Sequence, residues 1–127
     1  MSVKAKYDAV LKLGETLNVK DGYVEEAEGK LRIGGTAHTQ YDKDQMWDKI
    51  KEIGGEAPLD IEADIKVEVT EYYTKHTVQK GESLSLIAKH YYKDPMKYKA
   101  IFEANRDILK DPNIIHPDQE LTIPNMG

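Results

Sequence analysis

The stretch HTVQKGESLSLIA, residues 76–88, decides how the second half of this chain folds. Tyr73-Thr74-Lys75-His76-Thr77-Val78 reads as a strand. Leu84, Ile87, Ala88 and Tyr91 recur at i, i+3, i+4 and i+7, which predicts an amphipathic helix over 84–92. Gly81-Glu82-Ser83 separates the two apolar runs. Ser83 is the natural N-cap, because its hydroxyl can accept from an orphan N–H one turn in.

Downstream, Asp94-Pro95 opens a second helix, with Asp94 as cap and Pro95 at the first helical position. Its buried face is expected to hold Met96, Tyr98, Ile101 and Phe102, and Asn105 closes it. Asp111-Pro112-Asn113 and His116-Pro117-Asp118 are turn clusters. Gln119 to Ile123 reads as a last short strand, ended by Pro124. The order is strand, helix, helix, strand, and the two end strands can pair antiparallel beneath the helices. That pairing would lay the loop before the first helix beside the loop before the last strand. Such loops expose backbone N–H and C=O groups next to Leu84 and Ile115. A sugar bearing an acetamido group wants that mixture, an apolar wall for its methyl and hydrogen bonds for its amide.

Upstream, Val3, Tyr7, Val10, Leu11 and Leu17 predict one helix, weakened by Gly14. Asn18 to Gly22 reads as a turn. Two strands are expected at 23–28 and 30–36, with Glu28-Gly29 as the hairpin turn and Gly34-Gly35 as a terminator or bulge. A helix is expected from about Asp42, where Asp42 and Gln45 have capping-box spacing. Met46, Ile50 and Ile53 form its stripe, Trp47 flanks it, and Gly54-Gly55 stops it. Ala63, Ile65, Val67 and Val69 alternate with polar residues and predict a strand. Two helices on one face of a small sheet would bury all these stripes. The fold class is therefore α+β: a helix-strand-strand-helix-strand domain over residues 1–71 and a strand-helix-helix-strand domain over residues 72–127.

Composition narrows the function. With 39% hydrophobic and 32% charged residues among 127, the chain suits one globular domain or two small ones rather than a disordered segment. The absence of cysteine excludes a disulfide framework, a thiolate metal site and a cysteine nucleophile. The net charge of −5 splits unevenly. Residues 1–71 carry 10 Lys/Arg against 16 Asp/Glu, and residues 72–127 carry 8 against 7. No basic stripe is available for nucleic acid. No apolar run reaches the ~20 residues that span a bilayer, so no transmembrane segment is expected. The stretch MSVKAKYDAVLKLGETL lacks a continuous apolar core with a cleavage site, so a cytoplasmic location is expected.

Catalytic motifs are missing. His38, His76, His90 and His116 show no i, i+4 zinc pair, and there is no HExxH, no GxSxG elbow and no EF-hand spacing. Carboxylate clusters such as Glu25, Glu26 and Glu28 read as a solvated face. The chain is expected not to be an enzyme.

Residues 76–124 strongly resemble the LysM family. Val78, Gly81, Glu82, Ser83 and Leu84 match its opening motif. Ile87-Ala88, then Ala104, Asn105 and Leu109, match its middle. Ile115, Pro117, Gln119, Leu121, Ile123 and Pro124 match its closing motif. Three positions depart from the family pattern: Lys93 and Asp118 stand where glycine is usual, and Tyr98 where tryptophan is common. LysM modules bind N-acetylglucosamine polymers such as peptidoglycan or chitin. The resemblance thus implies a non-catalytic glycan-binding module with its groove at Gly81, Glu82, Ser83 and Leu84 and at Asn113, Ile114, Ile115, His116 and Pro117. The first half looks like a BON domain, a family linked to membrane association or ligand sensing. A BON-then-LysM order resembles bacterial cytoplasmic potassium-binding proteins, so the alternative expectation is a potassium-binding or sensing protein. Potassium is usually held by backbone carbonyls, which leave almost no sequence signature. No cofactor is expected apart from that ion, no metal ligands are assigned, and a monomer is expected.

Overall fold

A computed structural model describes residues 2–125. It mixes helices and strands in an α+β architecture and divides into two compact units, residues 1–70 and 71–127.

In the first unit, α1 (Val3–Lys6) and α2 (Asp8–Thr16) replace the single helix expected. Tyr7 interrupts it, fully buried, with its hydroxyl donating to Asp60 Oδ1 at 2.6 Å. β1 (Lys20–Ala27) begins inside the expected turn, where Asn18 and Asp21 take positive φ and the register shifts between Lys20 and Tyr23. Glu28 and Gly29, both at positive φ, make the tight turn into β2 (Lys30–Thr39), as two-residue hairpins prefer. β2 runs through Gly34-Gly35 instead of ending there. The reason at Gly34 is close approach: an added Cβ would come within 2.5 Å of the Tyr23 ring.

The next helix, α3 (Gln40–Gly54), starts two residues before Asp42. Thr39 is the N-cap, accepting from Asp42 N–H at 3.3 Å, while Gln45 only reaches the Asp42 carboxylate at 3.5 Å. The capping-box reading of Asp42 is therefore corrected: a Thr at the end of a strand already has the extended φ/ψ that a cap requires. Met46 and Ile50 are buried as expected, and Gly55 at φ 90 ends the helix. β3 (Ile61–Val69) pairs parallel with β2, from Leu31 opposite Ile61 to Thr39 opposite Val69, and β1 pairs antiparallel on the other side. The core is Tyr7, Val10, Leu31, Ile33, Ala37, Met46, Ile50, Ile61 and Ile65. A fully buried Leu31 or Ile50 contributes roughly 1.5–3 kcal/mol each. β1 stays outside this core: all of it is exposed, Tyr23 and Val24 included.

The second unit follows the expected order closely. β4 (Thr74–Thr77) pairs antiparallel with β5 (Glu120–Ile123). α4 (Leu84–Tyr92) is capped by Ser83 Oγ, which accepts from Leu86 N–H at 3.2 Å. A 3-10 turn (Pro95–Lys97) capped by Asp94 leads into α5 (Tyr98–Ala104). That turn rotates Met96 out to 69% exposure, so Met96 is not in the core, contrary to the sequence expectation. Its period of three residues, unlike 3.6, carries the side chain off the buried face. Val78, Leu84, Ile87, Ala88, Ile101, Leu109, Leu121 and Ile123 form the core.

Asn105 does more than end a helix. Its amide is 3% exposed. Nδ2 donates to Ile101 O (2.7 Å) and Thr122 O (2.8 Å), and Oδ1 accepts from Thr122 N–H at 2.8 Å. The side chain thus pairs with β5 as a one-residue strand would, satisfying both groups of Thr122.

Candidate functional site

Two loops of the second unit are locked together by backbone bonds. Val78 N–H donates to Gln119 O (2.9 Å), and Asp118 N–H donates to Val78 O (2.8 Å). The first loop turns at Gly81, whose φ of 89 no β-carbon residue adopts cheaply, although an added Cβ would meet nothing within 4 Å. The second loop is shaped by its own polar side chains. Asp111 Oδ1 accepts from Asn113 N–H at 2.8 Å, and Gln119 Oε1 accepts from His116 N–H at 2.8 Å. Asp118 takes φ 73, the conformation that glycine usually supplies.

Between these loops lies a cleft of about 270 Å³. Of the nine residues expected there, Glu82, Ser83, Leu84, Asn113 and Ile115 line it. Ser85, Tyr98 and Pro112 complete the wall. Tyr98 was read on the buried face of its helix and as the residue in the place of the family's tryptophan. Pro112 was read as a turn former, and Ser85 was not assigned to the groove. Ile114 and His116 are turned instead to a separate cleft of about 250 Å³, shared with Ile108, Lys110, Asp111 and Gln119. Gly81 and Pro117 line neither cleft and shape the loops.

Glu82 is the charged member of the main cleft, and its carboxylate is held from behind. Oε1 accepts from Gln79 N–H at 2.6 Å and lies 2.9 Å from His76 Nε2. His76 Nδ1 lies 2.7 Å from the Tyr91 hydroxyl. One tautomer satisfies the whole chain: Tyr91 O–H donates to Nδ1, and Nε2–H donates to Glu82. Burial opposes ionisation of Glu82, but the bonds from Gln79 and His76 outweigh it and hold the carboxyl below the usual carboxylate range. Burial also raises the Tyr92 phenol, whose hydroxyl donates to Pro124 O and ties α4 to the end of β5. The cleft therefore offers one anchored carboxylate, a phenol-bearing ring, a capping serine, an amide and apolar floor residues. Such a set can hold a polar, partly apolar ligand without doing chemistry on it. Among the described residues, no helix is long and apolar enough to cross a membrane.

The LysM domain model matches residues 76–124. The chain is 35% identical over 100 residues to the potassium binding protein Kbp of Escherichia coli O6:H1, a match covering 77% of this chain and 65% of that protein. It is 49% identical over 51 residues to an uncharacterized protein of Deinococcus radiodurans, covering 40% of this chain and 19% of that one. The matches thus span less than two thirds of either relative's length. With the strand-helix-helix-strand order, the two locked loops and the family match over the same residues, residues 76–124 are a LysM domain.

Proposed function

We propose that this chain is a non-catalytic binding protein whose LysM domain takes an N-acetylglucosamine-containing glycan in the cleft between residues 82–85 and 112–115. The observation that carries the reading is that cleft, where the ionised Glu82, the Tyr98 ring and the Ile115 wall converge. Sugar hydroxyls suit an anchored carboxylate, and an acetamido methyl suits Leu84 and Ile115. The test is a titration of the full chain with chitin oligomers and muropeptides, followed by amide chemical shifts. Shifts centred on residues 82–85 and 112–115 are expected. Silence at millimolar ligand removes the reading.

A second reading rests on the Escherichia coli relative, whose name is potassium binding protein. In it, this chain is a cytoplasmic potassium-binding protein with a BON-like N-terminal unit, holding the ion through backbone carbonyls. Thermal unfolding in potassium and sodium chloride at equal ionic strength separates the two readings. A selective site raises stability by RT ln(1 + [L]/Kd), about 2.7 kcal/mol at a hundredfold excess over Kd. Equal melting in the two salts removes the potassium reading.

A further inference from the structure

Glu82 carries a charge that the fold does not need. Its Oε1 does the structural work, accepting from Gln79 N–H and from His76 Nε2–H. A neutral amide oxygen can accept the same bonds. Oε2 has no partner among the described residues. Solvent reaches that oxygen, because among the described residues no buried side-chain oxygen is left unpartnered.

The second observation is the make-up of the cleft that Glu82 lines. Among the described residues, its walls carry no lysine, arginine or histidine. Lys80, Lys97, Lys99 and Lys110 stand close in sequence to wall residues, yet none of them lines the cleft. The titratable groups that act on the Glu82 carboxyl are His76 and His90, and neither lines it. His76 is already engaged with Oε1. Ser83, Ser85, Tyr98 and Asn113 supply neutral polar groups. The negative charge of Glu82 is therefore uncompensated within these walls.

Size makes that charge felt wherever a ligand lies. A cleft of about 270 Å³ is about 8 Å across if rounded, well inside the Debye length of about 30 Å at about 10 mM salt. A carboxylate on a bound sugar is repelled in any pose, whereas a hydroxyl or amide N–H can donate to Oε2. Like-charge exclusion is one way in which a site gains specificity.

We propose that Glu82 sets the charge specificity of the cleft: it admits neutral N-acetylglucosamine oligomers and disfavours glycans whose N-acetylmuramic acid residues carry free lactyl carboxylates. The proposal rests on the glycan reading above. It narrows that reading to uncharged glycan, which includes muramyl chains whose carboxylates are capped as amides.

The test is an amide-shift titration of the full chain, in about 10 mM salt at neutral pH, with three tetrasaccharides. They are chitotetraose, alternating N-acetylglucosamine–N-acetylmuramic acid, and that same chain with its lactyl carboxylates capped as methylamides. The acidic form is expected to bind about threefold more weakly than its capped twin, the effect of one like-charge pair about 8 Å apart in water. The methylamide is the larger group, so bulk alone would give the opposite order. The gap should narrow at about 150 mM salt, where the Debye length falls to about 8 Å. Glu82→Gln, which keeps an oxygen for Gln79 N–H and His76, should bring the two forms to equal affinity. Equal affinity of the two forms in the parent chain, or a gap that persists in Glu82→Gln, overturns the proposal while chitotetraose binding leaves the glycan reading standing. Silence toward all three sugars removes both. Should Glu82→Gln fail to fold, the salt series decides: a gap that salt leaves unchanged is not electrostatic, and overturns the proposal.

Discussion

Replacing Asn105 by alanine isolates the buried amide that closes the LysM domain. Three hydrogen bonds disappear, to Ile101 O, Thr122 O and Thr122 N–H. A net hydrogen bond is worth about 0.5–1.5 kcal/mol, and buried groups left unpaired cost more. Asn105→Ala should therefore cost the C-terminal unit about 3 kcal/mol. A unit of this size is stable by only about 3–8 kcal/mol, so roughly two fifths or more of its margin goes. Two transitions must be followed separately, because a two-unit chain need not unfold as one. Hydrogen exchange at the Val78 amide, which donates to Gln119 O, reports the C-terminal unit. Fluorescence of Trp47, the single tryptophan, reports the N-terminal unit. The first should fall by at least 10 °C, since about 1 kcal/mol shifts Tm by 4–8 °C in so small a domain, while the second stays put. Asn105→Asp adds a sign. Its carboxylate would face two carbonyl oxygens in a buried site, so its folded pKa lies above the unfolded value near 3.9. The variant's stability should then be greatest in acid and fall as pH rises through the folded pKa. A loss below about 1 kcal/mol for Asn105→Ala would falsify the clamp.

Other outcomes follow from the same geometry. Lys93 ends α4 at φ 62 and ψ 19; a left-handed non-glycine costs about 1–2 kcal/mol, part of which glycine returns as unfolded-chain entropy. Lys93→Gly should raise the unfolding free energy, measured by denaturant titration, by about 0.5–1 kcal/mol, and Asp118→Gly by less, because aspartate tolerates this conformation. Asp60 is held below the usual carboxylate range, first by the Lys6 ammonium and then by the Tyr7 hydroxyl. Its contribution is present above the unfolded pKa and is lost as pH falls through the depressed folded one; Asp60→Asn should flatten that acid arm of Trp47-monitored unfolding. Tyr7→Phe, which leaves the Asp60 carboxylate without its phenol, should cost about 1–2 kcal/mol at neutral pH. His76→Ala frees Glu82 from behind and should weaken chitin-oligomer binding about fivefold in the shift titration, with the Ser83 cap intact.

The C-terminal unit was legible because its signals are local. Ser83 before a 3.6-residue apolar period, and Asp94-Pro95 before another, name their own elements. The N-terminal unit was read less well where tertiary contacts override local propensity. Gly34-Gly35 reads as a stop or a bulge; the strand continues, because the Tyr23 ring needs that bare backbone, and the register shifts opposite it between Lys20 and Tyr23. Asp42 has capping spacing, but Thr39 arrives already extended from β2. The two loops named from the sequence meet at one cleft, but not every side chain named on them lines it. Ile114 and Ile115 are neighbours, and the turn begun at Asp111 sends them to different clefts. Nothing in residue type announces which way such a turn will face. Asn105 was visible as a helix end, and its bonds to β5 depend on a strand many residues later.

The pairing of Thr74 with Ile123 has a consequence for synthesis. The strands that close the LysM domain are its first and last elements, so the longest loop must close before either is paired. Emerging from a ribosome, the N-terminal unit has every strand once Val69 is out and can fold at once. The LysM domain must wait for β5. Until then Leu84, Ile87 and Ile101 have no sheet to rest on. The chain is thus expected to be born half-folded, with its LysM half the last to form and the first exposed to aggregation or proteolysis if translation stalls after Asn105.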